Sequence, residues 1–235
     1  MKDWRLIYII FAKSEDKLYI SNKNRQAYFV LLSVCIIFVR INLKNCNVMF
    51  DKETYVQRRA LLKKNIGSGV LLFLGNDEQG LNYEDNAFRY RQDSTFLYYF
   101  GLSFAGLSAI IDIDEDKEII FGDELTIDHI VWMGTQPTLK EKSERVGIRE
   151  TLPSVAIISY LHKAVQKGQT VHYLPPYRPE HKLKLMDWLG IPPARQEGSV
   201  PFIRAVVAQR NYKSAEEIAE IEKACDVTAD MHIKA

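Results

Sequence analysis

The chain reads as an α/β sandwich, a sheet with helices packed on it. Three observations lead there. Val70-Leu71-Leu72-Phe73-Leu74 is an unbroken apolar run that ends at Gly75, as expected of a strand buried on both faces. Two further apolar runs, Leu107 to Ile113 and Glu118 to Phe121, flank Asp114-Glu115-Asp116-Lys117, which is the pattern of a hairpin. Around these strands lie segments with helical spacing, two of them introduced by Ser/Thr-x-x-Glu capping boxes.

Taken in order, Thr54 to Asn65 places Tyr55, Leu61, Leu62 and Ile66 among Arg58, Arg59, Lys63 and Lys64, an amphipathic helix ended by Gly67 and Gly69. The strand at Val70 follows, and then a polar, turn-rich loop from Asn76 to Asn86. Thr95 to Phe100 is rich in aromatic residues and reads as a strand by propensity. After the hairpin, His129 to Met133 is a further short strand. Thr138-Leu139-Lys140-Glu141 opens a helix that runs to about Val146. Val155 to Gln166 has helical period, Thr170 to Leu174 returns to strand, and Glu180 to Leu189 is a helix stopped by Gly190. Pro201 to Arg210 leads to the second capping box, Ser214-Ala215-Glu216-Glu217. The helix it opens places Ile218, Ile221, Cys225, Thr228 and Met231 or His232 on one face.

A chain of 235 residues is long enough to bury a substantial core. Its 47% hydrophobic and 26% charged residues are those of an ordinary globular protein. A net charge of +1 gives no electrostatic argument for nucleic acid as a partner. Cys35, Cys46 and Cys225 have no metal or redox spacing, and such a count suits a reducing compartment.

Residues 1–48 stand apart. They contain no glycine and no proline and are rich in Ile, Asn, Lys, Tyr and Phe. They read as an extension foreign to the fold, translated non-coding sequence upstream of Met49. The alternative is a membrane anchor at Ala27 to Val39, but its 13 residues fall short of the ~20 needed to span a bilayer. A pair of strands without a partner sheet is the third reading.

The segment Asn82 to Asp93 mixes carboxylates, arginines and aromatics on a loop read as entering a strand, where binding residues concentrate. A structural alternative is that Arg91 and Asp93 form ion pairs within the chain that fix this loop. Tyr90-Arg91-Gln92-Asp93-Ser94 with its aromatic run to Gly101, and Arg210-Asn211-Tyr212-Lys213-Ser214-Ala215-Glu216-Glu217-Ile218, together resemble aminopeptidase P, the Xaa-Pro aminopeptidases of the creatinase/prolidase superfamily. The resemblance covers residues 49–235. It implies an N-terminal domain over 49–209, with a mixed β-sheet flanked by helices and a ribonuclease H-like shape. It also implies that 210–235 are the linker and first helix of a catalytic domain.

In that family the N-terminal domain completes a substrate pocket and supports oligomer formation. Carried onto this sequence, the pocket residues are Asp85, Arg210 and Trp132, the last in a Trp-x-Gly motif supplied to a neighbouring subunit. The plainer alternative for Trp132 is a core or interface aromatic. The intact enzymes hold two Mn2+ ions through two aspartates, a histidine and two glutamates, and they remove the N-terminal residue that precedes proline. None of those ligands falls within this chain. Asp226, Asp230 and His232 match none of the ligand positions and read as a solvated helix face. His129, His162, His172 and His181 are scattered, and no nucleophile has a visible base partner.

The reading implied is the N-terminal domain of a cytoplasmic, manganese-dependent Xaa-Pro aminopeptidase acting on proline-containing peptides as a homo-oligomer. As a fragment alone it would be inactive and would bind no metal. The alternatives are a non-catalytic interaction module of the same superfamily, a prolidase-type dipeptidase fragment, and a form tethered to a membrane through 27–39.

Overall fold

In the computed structural model, which describes residues 48–83 and 86–234, five strands form one sheet in the order β4-β3-β2-β1-β5. The strands are β1 (Val70–Leu74), β2 (Ser108–Asp112), β3 (Lys117–Phe121), β4 (Glu150–Leu152) and β5 (Val171–Tyr173). β2 lies antiparallel between β1 and β3, with Leu72 opposite Ile110 and Ile110 opposite Ile119. β5 runs parallel to β1, and β4 runs parallel to β3. The sheet is therefore mixed, and β1 and β2 are its interior strands with β3.

Alternation along the strands divides the core in two. Leu71, Phe73, Ala109, Ile111 and Ile120 face one side. There they meet Tyr55 and Leu62 of α1 (Lys52–Ile66), Phe96, Tyr99 and Phe100 of α2 (Ser94–Phe100), and Phe202 and Val206 of α7 (Val200–Asn211). Leu139, which opens α4 (Leu139–Glu144), closes the same layer. Val70, Leu72, Ile110, Ile119 and Phe121 face the other side and meet α5 (Ala156–Gln166) and α6 (Pro179–Leu189) through Ile157, Leu161 and Leu185. This is the α/β sandwich expected from the sequence, with helices on both faces. Two helices remain at the margins, α3 (Ile127–Met133) and α8 (Ala215–Lys234).

Two segments read as strands are helices. Ser94–Phe100 is α2, because Asp93 Oδ1 accepts the N–H groups of both Thr95 and Phe96 at 2.9 Å, and Gly101 closes the last turn at φ 62. Phe96, Tyr99 and Phe100 then share one buried face at helical spacing, so cap and period outweigh aromatic strand propensity. No larger residue fits at Gly101, since a Cβ there would lie 2.4 Å from Tyr55 Cζ. His129–Met133 belongs to α3, which starts at the Thr126 cap and stops at Gly134. Two elements were unassigned in the sequence. β4 is only three residues long, and Val200–Asn211 forms α7 with Pro201 in its first turn, where a missing N–H costs nothing.

The capping box at Thr138 forms as expected, with Glu141 N–H to Thr138 Oγ1 at 3.2 Å and Thr138 N–H to Glu141 Oε2 at 2.8 Å. The membrane-anchor reading falls on residues outside those described. Among the described residues no helix is long and apolar enough to cross a membrane.

α6 carries a buried titratable group. His181 is 4% exposed and its Nε2–H donates to the Gly75 carbonyl at 3.1 Å. Burial holds its imidazole below the ordinary 6.5. A depressed histidine stabilises the fold above about pH 6.5, and that contribution is lost as pH falls through the folded value, because the unfolded chain takes the proton first. Urea unfolding of the chain between about pH 7.5 and about pH 5 is expected to show this loss, and His181→Gln to flatten it. Burial also lowers His172, so the flattening is partial.

Candidate functional site

The Tyr90-Arg91-Gln92-Asp93 run is first of all a clamp. The buried Gln92 accepts from the N–H groups of Asn76 (2.8 Å) and Asp93 (2.9 Å) through Oε1, and donates to the Phe104 carbonyl (2.8 Å) through Nε2. Tyr90 donates to the same carbonyl at 2.7 Å. Burial pushes its phenol up, so it remains a donor at any physiological pH. These bonds satisfy backbone groups where β1 gives way to the long loop, and they deliver Asp93 to the start of α2.

Arg91 is exposed, and its carbonyl accepts from Asn76 Nδ2 at 2.8 Å. Neither Arg91 nor Asp93 forms an ion pair among the described residues, so the ion-pair reading of this loop is replaced by capping and backbone satisfaction. The segment enters a helix, not a strand.

Arg210 lies in the last turn of α7, half-buried, and donates from Nη1 to Thr95 Oγ1 at 3.1 Å. Its guanidinium carbon sits 5.7 Å from the Tyr98 ring. The two sequence motifs, far apart in the chain, thus meet in space. A second arginine joins them. Arg58 of α1 lies over the same Tyr98 ring at 4.0 Å and donates from Nη1 to the Tyr98 carbonyl at 2.9 Å. Its Nη2 stands 3.3 Å from Glu217 Oε1, in the first turn of α8. Between the two arginines, Gln209 accepts from the Tyr99 hydroxyl at 2.8 Å and donates to the Arg58 carbonyl at 3.0 Å. The outcome is a cationic, aromatic-walled corner where α1, α2, α7 and α8 converge. Such a corner is suited to orienting a carbonyl or carboxylate.

Sequence reading missed Arg58. The available signal was its position three residues after Tyr55 and four before Leu62, on the buried stripe of α1.

Trp132 is 87% exposed on α3, beside exposed Ile127, Ile130 and Val131. It is neither a core aromatic nor part of the arginine corner. Asp85 lies outside the described residues. Asp226, Asp230 and His232 are exposed on α8, and among the described residues no group of three or more His, Cys, Asp or Glu could hold a metal ion.

On the opposite face of the sheet, a cleft of about 350 Å3 is walled by Phe121, Ile158 and Trp188. Its charged groups answer each other, with Lys184 Nζ 2.7 Å from Asp77 Oδ2, and Asp123 accepting from Ser154.

Comparisons with known proteins agree on one relationship. The family model for the aminopeptidase P N-terminal domain matches residues 55–173. A probable Xaa-Pro aminopeptidase of Chaetomium globosum is 29% identical over 168 residues, which cover 70% of this chain and 27% of the relative. Human Xaa-Pro dipeptidase is 33% identical over 90 residues, 37% of this chain and 18% of the relative. The structure of Pseudomonas aeruginosa aminopeptidase PepP superposes with a TM-score of 0.66 at 23% identity, over 80% of this chain and 45% of that one. The chain therefore spans less than half the length of each of these proteins.

Proposed function

The chain belongs to the aminopeptidase P N-terminal domain family, and from that premise we propose that it serves an Xaa-Pro aminopeptidase as the domain that completes the substrate site. The observation that carries this reading is the family match across β1 to β5, joined to a fold shared with a solved aminopeptidase. The reaction proposed is removal of an N-terminal residue that precedes proline, and the substrates are proline-containing peptides.

Within that reading Arg210 orients a substrate carbonyl or carboxylate. Thr95 holds one of its nitrogens, which limits the side chain's freedom before substrate arrives. Asp85 is proposed as a further residue of the substrate pocket. Trp132, exposed on α3, is the aromatic offered to a neighbouring subunit of a homo-oligomer. A cytoplasmic location completes the proposal.

The pair of Mn2+ ions does not fit the residues described, which offer no donor cluster. No step of the reaction is therefore assigned to this chain's own carboxylates or histidines. The metal-binding residues are proposed to lie in the part of the relatives that this chain does not span. Likeness to the human Xaa-Pro dipeptidase favours one second reading, a dipeptidase of the prolidase type built on the same domain.

A direct test is to incubate the purified chain with Mn2+ and a peptide carrying proline at its second position. No release of the first residue is expected. Metal-dependent release by this chain alone would overturn the division of labour proposed.

A further inference from the structure

α8 is 20 residues long and has no buried residue, and every residue from Ile221 to Lys234 is exposed. A helix of that length extends for about 30 Å. Its direction must therefore be set within its first turn. Three residues there or just beyond are half-buried: Ser214, Glu217 and Glu220. Glu220 turns along the helix to Lys223 at 2.6 Å. Glu217 reaches back to the domain.

The two oxygens of Glu217 do different work. Oε2 accepts the Ser214 N–H at 2.9 Å and closes the capping box, while the Glu217 N–H reaches Ser214 Oγ at 3.3 Å. Oε1 lies 3.3 Å from Arg58 Nη2. Arg58 is itself immobilised. It is 8% exposed, its Nη1 is held by the Tyr98 carbonyl, and its guanidinium lies 4.0 Å from the Tyr98 ring centre and 4.9 Å from that of Phe50. Nη2 is buried and has no hydrogen-bond acceptor among the described residues, so the Glu217 carboxylate is what balances that end of the cation. A pair this shielded from water is weakly screened by salt.

We infer that Arg58 is a positioning residue. By holding the outer oxygen of Glu217, it fixes the direction in which α8 leaves the domain. A further linker contact, Lys213 Nζ to the Arg210 carbonyl, joins the linker to the last turn of α7 and involves no residue of α8, so it leaves the helix direction open. Leverage makes the pair matter. A rotation of about 10° at the first turn carries the far end of a helix about 30 Å long through about 5 Å. That an altered direction would misplace the segments following α8 against Arg210 rests on the peptidase reading above. The latch itself does not.

The test reads helix direction and needs no activity. In the full chain, with Cys35 and Cys46 replaced by serine, one spin label sits on Cys225 of α8 and a second on Lys140→Cys of α4. A single narrow distance distribution is expected. Arg58→Met and Glu217→Gln are each expected to broaden it or split it. The glutamine keeps an oxygen for the Ser214 N–H, so loss of the cap is not the cause. Glu220→Gln, which removes only the exposed pair with Lys223, is expected to leave the distribution unchanged. A pair that merely adds stability would lower the melting temperature of both variants while the distribution kept its mean and width, and that result would overturn the inference. A broad distribution in the unsubstituted chain would overturn it equally. Should Arg58→Met fail to fold, Glu217→Gln, on a half-buried turn, still decides the matter.

Discussion

Replacing Arg59 by methionine is expected to cost about 3–5 kcal/mol of folding stability, the scale for breaking a buried ion pair from one side. Arg59 is 1% exposed, yet it lies on the core stripe of α1, between Tyr55 and Leu62. Its guanidinium spends three nitrogens on three different elements. Nε donates to Glu118 Oε2 of β3 at 2.7 Å, Nη1 to the Tyr99 carbonyl near the end of α2 at 3.0 Å, and Nη2 to the Val146 carbonyl beyond α4 at 2.9 Å. Burial lowers its pKa and Glu118 opposes that effect, but an arginine stays charged throughout.

Methionine fills most of the volume but donates to none of these acceptors. Two buried carbonyls lose partners, each at about 1–3 kcal/mol. Glu118 keeps Lys63 at 3.1 Å, so its own loss is smaller. The complementary Glu118→Gln is therefore expected to cost less than Arg59→Met. Urea denaturation followed by circular dichroism measures both. Equal costs would mean that the carbonyl bonds contribute little.

Phe73→Ala is the second large effect, about 3–5 kcal/mol by the same measurement. Phe73 is 2% exposed in the middle of the sheet's aromatic face. Its ring centre lies 5.4 Å from that of Tyr99, 5.0 Å from Phe100 and 5.1 Å from Phe202, the last two edge to face. One side chain therefore seats both α2 and α7 on β1. Truncation leaves a cavity at the point where those helices meet, and neither can close it without abandoning the other. Because Thr95 and Arg210 ride on α2 and α7, the loss is expected to loosen the arginine corner as well. Phe73→Leu, which keeps most of the volume, is expected to cost distinctly less.

What was legible in the sequence was local. Val70 to Leu74 declares itself by apolarity and a closing glycine, and the hairpin by a four-residue polar turn. α4 and α8 declare themselves by side chains that bond their own backbone three residues away. The elements misread were those where two local signals compete. In Thr95 to Phe100, aromatic residues suggest a strand, while Asp93 and Gly101 mark the ends of a helix. The cap is satisfied in the folded chain, and the helix wins.

Arg58 and Arg59 were invisible for a different reason. Charge assigned them to the solvent face, while spacing placed them on the stripe of Tyr55 and Leu62. What resolves the conflict is acceptors 40, 59 and 87 residues away for Arg59, and a carboxylate on α8 for Arg58. No local pattern contains such partners. Arg210 was found because its motif is shared with a family. The corner it occupies was not, since that corner is assembled from four elements by the core.

The decisive measurement is the activity of the native protein, captured from its source with an antibody to this domain. Release of the first residue from a peptide with proline in second place is expected, abolished by a chelator and restored by Mn2+. An intact, folded native protein that releases nothing from such peptides at saturating Mn2+ would contradict the peptidase reading and leave the domain as an interaction module.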